Sequence, residues 1–293
     1  MRNLPRSFVL ALLSLFMLGA ALYLSRFTPP APASPATPPA VLLPPIPAVA
    51  SLPEPPPAAS VTNPPVPASF QGKIFKQGHL KRGEKVVALT FDDGPWPDST
   101  RQVLAILRRN QITATFFCIG RHIQEHPELL KEVAVAGQVL GNHTWNHLYR
   151  PLSTARAAGE IDRTEALIKK ITGVETRLFR PPGGVLGNGQ VAYARRRDYA
   201  VVLWSVDSGD SHRHPTAAGM IRRVLAGVRP GGVVLLHDGG GLHPTVHALP
   251  QIIAGLKAKG YRFVTVPELM AMQVQQQAPP AIKVPLPATS AGQ

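Results

Sequence analysis

From residue 73 to residue 272, short apolar runs alternate with longer segments in which apolar residues return every third or fourth position. The short runs predict strands at residues 86–91, 115–119, 139–141, 177–179, 200–206, 232–236 and 262–264. The amphipathic segments predict helices at 99–109, 127–136, 154–172, 189–197, 215–227 and 246–259. Strand and helix taking turns imply parallel strands with helical crossovers, an α/β fold. Seven such strands either close an incomplete barrel or lie in an open doubly wound sheet. The polar residues favour the barrel. Asp92 with Asp93, His143, Arg180, Asp207 with Asp210, and His237 with Asp238 each follow a different predicted strand. A barrel brings all its strand ends to one mouth, whereas an open sheet feeds its crevice from few strands. The expected fold is a distorted, incomplete TIM-like (β/α)7 barrel.

The pattern fails on both flanks. Residues 8–24 carry neither charge nor proline and are bordered by Arg2, Arg6 and Arg26. This stretch reads as a membrane anchor or as a signal peptide, and both send the following chain across the membrane. A small-residue site exists at Ala31-Pro32-Ala33, although its proline disfavours cleavage. Residues 28–69 then hold 16 of the 32 prolines and a single charge, Glu54, as suits an extended polyproline spacer. The expected division is 1–27 anchor or signal, 28–72 linker, 73–272 folded domain and 273–293 disordered tail.

Composition narrows the partners. The net charge is +14, and residues 73–272 contribute +11 of it, 27 Lys and Arg against 16 Asp and Glu. For an exported chain this excess suits cell-wall polymer or lipid headgroups better than nucleic acid. The single cysteine, Cys118, lies in a predicted strand, so no internal disulfide forms and the thiol is expected to be inert core.

In the stretch GNHTWNH, His143 and His147 stand four apart, a spacing that puts both on one face of a helical turn and lets them grip one metal ion. A carboxylate from another strand end completes three protein ligands, the set for a catalytic zinc with an open position and equally for an iron facial triad. One of Asp92 and Asp93 is free to be that ligand and the other to act as general base on the water beside it. Asp-Asp-Gly-Pro also satisfies the preferences of a simple turn. Arg180, in FRPPGG, is placed to hold an aspartate ionised, and His237, at the end of GGVVLLHD, to act as general acid with its pKa raised by Asp207 or Asp210.

In combination and in order, TFDDGP, HTWNH, RPP, DSGD and LLHD resemble the NodB homology domain of the polysaccharide deacetylases, carbohydrate esterase family four, over about residues 84–269. The resemblance implies a distorted βα barrel and metal-dependent removal of acetyl groups from N-acetylated sugars. It also implies that Asp92 is the catalytic base, that Asp93, His143 and His147 are the metal ligands, that Arg180 orients the base, and that Asp210 tunes the acid His237. Gly183, Asp207 and Leu236 fall at oxyanion or substrate-binding positions. The implied metal is Zn2+, with Co2+, Ni2+ or Mn2+ as alternatives. The implied partner is an N-acetylated glycan: peptidoglycan, a chitin oligomer or poly-N-acetylglucosamine. With the N-terminal segment, this places the domain outside a bacterial inner membrane, facing periplasm or wall, or secreted if the segment is cleaved.

The chain departs from the family where groove aromatics are usual, with Gly183 and Ser211 in their places. Trp145, Trp204 and Tyr149 are the candidate replacements. His243 with His247, and His212 with His214, read as structural or groove-lining. The competing function is a tethered glycan-binding protein on a catalytically impaired scaffold.

Overall fold

The computed structural model describes residues 62–240 and 244–277. The apolar stretch at 8–24, the spacer up to residue 61 and His243 lie outside them. No helix among the described residues is long and apolar enough to cross a membrane.

Strand β2 (Val86–Asp92) is the axis of the domain. All its residues are buried, which is why VVALTFD shows no polar alternation. It pairs in parallel with β3 (Thr115–Cys118) on one side and β8 (Gly232–His237) on the other, and its first residues also pair with β9 (Arg262–Phe263). Beyond β3 follow β4 (Val139–Asn142), β5 (Leu178–Phe179), β6 (Ala200–Val202) and β1 (Ile74–Phe75), while β7 (Val206–Asp207) flanks β8. The order is β1-β6-β5-β4-β3-β2-β8-β7, with every pair between these strands parallel.

The strand expected at 200–206 is divided. Leu203 N still donates to Phe75 O at 2.8 Å, on one flank of the sheet, but Ser205 N donates to Val233 O at 3.0 Å, on the other. Residues 203–205 therefore cross from flank to flank, and this bent segment curls the sheet toward a barrel. The other expected strands and the helices all form: α1 (Pro97–Arg109), α3 (Pro127–Val135), α4 (Thr154–Thr172), α5 (Gln190–Arg196), α6 (Ala217–Gly227) and α7 (Pro244–Ala258). The short α2 (Gly120–Glu125), β1 and the terminal α8 (Val266–Gln277) were not expected. Helix α4 has the bounds its caps dictate: Ser153 accepts from Arg156 N, and Gly173 ends it in the left-handed region at φ 76°.

The sheet separates two apolar layers. Val87, Leu89 and Phe91 of β2 pack outward against the helices with Val103, Leu107, Leu130 and Ile252. Val86 and Ala88 point inward to Phe117, Val139, Val202 and Val233. Alternation along a strand puts Thr90 and Asp92 on that inner side.

Both expected domain edges cut through ordered chain. Asn63 exchanges hydrogen bonds with Leu140 of β4, its Nδ2 to the carbonyl at 2.7 Å and its Oδ1 from the N–H at 3.0 Å. Val66 and Phe70 pack on the inner layer. Extended, proline-rich backbone keeps its remaining polar groups free, so the end of a spacer is able to lie on a fold in this way. At the other end α8 passes residue 272, and the amide oxygens of Gln273 and Gln276 accept from His79 N and Lys81 N.

Candidate active site

Asp92 is the last residue of β2, points inward and is 3% exposed. Asp93 leaves the strand at once, with φ 75°. The neighbouring carboxylates therefore diverge, and their repulsion falls with the separation. His122 Nδ1, from α2, donates to Asp93 O at 2.6 Å and holds that backbone in place.

His143 follows β4 directly. The expected helical turn at 143–147 is absent: these residues form a loop in which Thr144 and His147 have φ of 69° and 55°. Polar side chains hold the loop instead, Asn142 Oδ1 accepting from Thr144 N at 2.9 Å and Thr144 Oγ1 from His147 N at 3.1 Å. The loop still brings the imidazoles together, with their Nε2 atoms 3.2 Å apart. Asp93 Oδ1 lies 3.5 Å from His143 Nε2 and 3.3 Å from His147 Nε2.

His143 Nδ1 donates to Arg180 O at 2.7 Å, which fixes its tautomer and turns the Nε2 lone pair toward His147. Asp93 Oδ1 is buried without a hydrogen-bond partner among the described residues. Two imidazole nitrogens facing one another beside an orphaned carboxylate oxygen are unstable alone, and one divalent cation satisfies all three. Their protonation suits this. Burial, and next the nearby His143, lower the His147 pKa to about 4. Burial works against ionisation of Asp93, yet the close approach of His143 and the fields of His147 and His237 hold its carboxyl well below the usual carboxylate range. Both groups thus present lone pairs at neutral pH.

Behind this cluster lies Arg180, at the end of β5 and completely buried. Its Nη1 donates to Asp92 Oδ1 at 2.6 Å and to Thr90 Oγ1 at 2.9 Å, Nε to Val202 O at 3.1 Å and Nη2 to Leu203 O at 3.3 Å. The guanidinium also lies 4.1 Å from the centre of the Phe117 ring. Burial lowers its pKa, and the charge of Asp92 opposes that. Asp92 Oδ2 stands 3.6 Å from His143 Nε2, on the histidine side.

Across β2, His237 ends β8. Asp210 Oδ1 accepts from its Nδ1 at 2.7 Å, while Oδ2 accepts from His237 N at 2.7 Å and from Thr245 Oγ1 at 2.6 Å. Burial disfavours the imidazolium, but the hydrogen bond and charge of Asp210, with the fields of Asp92 and Asp93, raise its pKa to about 9. Asp210 is lowered in turn: its bond to His237 outweighs the effect of burial. Nδ1 being engaged, Nε2–H is the proton left for chemistry.

Three side chains that could hold a cation, a buried carboxylate held by arginine and an imidazole held by aspartate thus share one barrel mouth. Comparison with known proteins agrees with this chemistry. The family profile described as polysaccharide deacetylase matches residues 79–202. A peptidoglycan-N-acetylglucosamine deacetylase of Bacillus cereus is 42% identical over 194 residues, which are 65% of this chain and 91% of that protein. The chain belongs to the polysaccharide deacetylase family. It is accordingly a hydrolase of N-acetyl amide bonds. Among solved structures, a peptidoglycan N-acetylglucosamine deacetylase in complex with a hydroxamate-bearing benzamide aligns with TM-score 0.64 at 33% identity, covering 69% of this chain and 94% of that one. A Bacillus anthracis protein described as a CE4 family pseudoenzyme aligns with TM-score 0.63 at 29% identity, covering 69% and 70%.

Some expected residues of this deacetylase lie elsewhere. Leu236 is fully buried in the outer layer under the helices, so its side chain faces away from the mouth. Strand alternation gives the inner side to its neighbour Leu235, in phase with Val233 and His237. The carboxylate of Asp207 is engaged away from His237. Its Oδ1 accepts from Gly209 N at 2.7 Å and its Oδ2 pairs with His212 Nε2 at 3.1 Å, which builds the loop rather than the acid. Ser211 and His214 are exposed in that loop, and His247 is exposed on α7. Gly183 sits in a 3-10 turn, Pro182–Gly184, whose hydrogen bonds are made by Gly184 N and Val185 N, so its own N–H takes no part in them.

Two further side chains organise the site. Asp238, buried beneath the Asp93–Gly94 segment, accepts from Thr100 Oγ1 at 2.5 Å, and its carbonyl accepts from Ser99 Oγ, tying β8 to α1. Burial raises its pKa to about 7. Glu160, from α4, accepts from Trp145 N at 3.1 Å and from Asn146 N at 2.6 Å with one oxygen, and from Asn146 Nδ2 at 2.7 Å with the other. Arg156, one turn earlier on α4, also lies 3.6 Å from Glu160 Oε1. Removing the carboxylate in Glu160→Ala leaves two N–H groups of the histidine loop unpaired, the buried one of Trp145 and the half-buried one of Asn146. Divalent-cation affinity, measured by titration calorimetry, is expected to fall about 10- to 100-fold, as for other residues that orient metal ligands.

Proposed function

We propose that this deacetylase removes N-acetyl groups from amino sugars of an extracytoplasmic polysaccharide, and that the polysaccharide is peptidoglycan. The observation that carries the reading is the orphaned Asp93 oxygen facing two imidazole nitrogens, with Asp92 and His237 on either side. Asp93, His143 and His147 would hold a divalent ion, for which Zn2+ fits the nitrogen-rich donor set and Co2+, Ni2+ or Mn2+ are the alternatives. Such an ion supplies Lewis acidity toward the acetyl carbonyl and the attacking water.

The chain's own groups do the rest. Asp92, with Oδ1 held by Arg180, accepts the proton of the attacking water on Oδ2. The Gly183 N–H, unused by its turn, donates to the oxyanion that forms at the acetyl carbon. His237 gives its Nε2 proton to the sugar nitrogen as the C–N bond breaks, and acetate and a free amine leave. Leu235 offers an apolar wall beside His237 for the acetyl methyl group.

The location follows from the flanks. Residues 1–27 act as membrane anchor or signal peptide, and the proline-rich chain after them spaces the domain from the membrane. The positive surface suits an anionic wall polymer. The test is to incubate the protein with peptidoglycan, chitin oligomers and poly-N-acetylglucosamine and to follow acetyl loss by mass spectrometry. Deacetylated sugar from peptidoglycan, abolished by a chelator and restored by Zn2+, is the expected result. The similarity to a pseudoenzyme favours one second reading, glycan binding without turnover, and retention of every acetyl group by the metal-loaded protein would establish it.

A further inference from the structure

The mouth carries an aromatic ring that the proton-transfer chemistry does not use. Tyr149 is 57% exposed, although it lies two residues after His147 and meets that ring edge to face at 5.0 Å. Its other neighbour is Gly183, where an added Cβ would come within 2.6 Å of Tyr149 Cε1. A side chain at residue 183 and the ring at 149 therefore exclude each other. Gly183 also has φ 58°, so the position resists a side chain for two separate reasons. The next residue repeats the arrangement: a Cβ on Gly184 would come within 2.9 Å of Trp204 Cη2. Two glycines thus clear space beside two rings, and the first of those rings reaches the predicted cation ligands.

The other candidate rings differ in kind. Trp145 is buried beneath the Arg163 guanidinium, 3.9 Å from its ring centre. Trp204 is half-buried and packs on the inner core, with the Arg180 guanidinium 5.8 Å away. Tyr149 alone combines an open surface with contact to the site. An exposed ring kept in one orientation by a histidine edge and a glycine floor is a flat apolar surface with a fixed position. The C–H face of a pyranose ring is the complement of such a surface.

We propose that Tyr149, seated on Gly183, is the stacking platform that positions an amino-sugar ring beside His147. This rests on the deacetylase reading of the site and names the residue that sets how its glycan is held. Tyr149 acts by positioning, so its loss weakens binding and leaves the proton transfers intact.

The test compares Tyr149→Ala and Tyr149→Phe with the parent enzyme on chitin oligomers, by steady-state acetate release. Binding of the same oligomers is measured in parallel on the Asp92→Asn protein, with and without Tyr149→Ala. The alanine variant is expected to raise KM about three- to tenfold, the range for an aromatic contact, with kcat changed less than about twofold. The phenylalanine variant should keep the parent KM within about twofold, and the binding arm should lose the same factor as KM. An unchanged KM in Tyr149→Ala overturns the platform. So does a fall in kcat at constant KM with weaker cation binding, since Tyr149 would then serve only to support His147. If no glycan loses acetate but Tyr149→Ala weakens oligomer binding, the reaction is overturned and the platform stands. Oligomer binding that ignores Tyr149 overturns the platform whether or not the protein turns over.

Discussion

Asp92→Asn is expected to lower kcat about 10²- to 10⁴-fold, the contribution of a positioned general base, while divalent-cation affinity stays close to that of the parent. The amide oxygen of asparagine keeps an acceptor for Arg180 Nη1, so the strand end holds its shape. The amide has no basic lone pair to take a proton from water. The cation donors Asp93, His143 and His147 are untouched, because the two aspartates point to different places: Asp92 to Arg180 at 2.6 Å, Asp93 to the imidazoles at 3.3 and 3.5 Å. Acetate release and titration calorimetry on the same sample separate the outcomes. Full activity would show that another group is the base. Lost cation affinity would make Asp92 a ligand, through the oxygen that stands 3.6 Å from His143 Nε2.

The second large effect concerns His237. Its pKa is raised to about 9, chiefly by the bond to Asp210 working against burial, so the imidazolium is present at neutral pH and is lost as pH rises through about 9. Activity that needs this proton should fall along that alkaline limb. In Asp210→Asn the charge behind the elevation is gone while burial remains, so the limb moves to lower pH and kcat at pH 8 drops about 10²-fold, the lower end for a general acid. A rate profile over pH decides it: an alkaline limb that stays in place would mean that His237 is not the acid. Folding should follow the same sign. A folded-state pKa above the unfolded value stabilises the domain below the unfolded pKa, and that contribution fades as pH passes through about 9.

Legibility differed between fold and site for physical reasons. Parallel strands and crossover helices were plain, because buried strands are unbroken apolar runs and the helices carry caps such as Ser153 and Gly173. The same unbroken runs conceal which side chains point inward. VVALTFD and GVVLLH have no polar alternation, so Leu236 was chosen where Leu235 holds the inner position, and the division of labour between Asp92 and Asp93 came from a resemblance rather than from spacing. The HxxxH spacing gave the right neighbours by the wrong local structure, since a loop with two left-handed residues meets the need that a helical turn would. Glu160 was hidden because two of its partners are backbone N–H groups, which no side-chain pattern reveals. Strand β1, Ile74–Phe75, is too short for any period to be read.

Arg180 does more than hold a base. It joins Thr90 and Asp92 of β2 to the carbonyls of Val202 and Leu203, at the bend where the sheet crosses from one flank to the other. Taking away one partner of a buried pair costs about 3–5 kcal/mol, a large share of a domain's stability. Loss of this arginine therefore threatens the fold as well as the reaction. In a duplicated gene that no longer needed the reaction, decay would begin with groups at the rim, such as His147 and Tyr149, and the arginine would persist as an imprint of chemistry already lost.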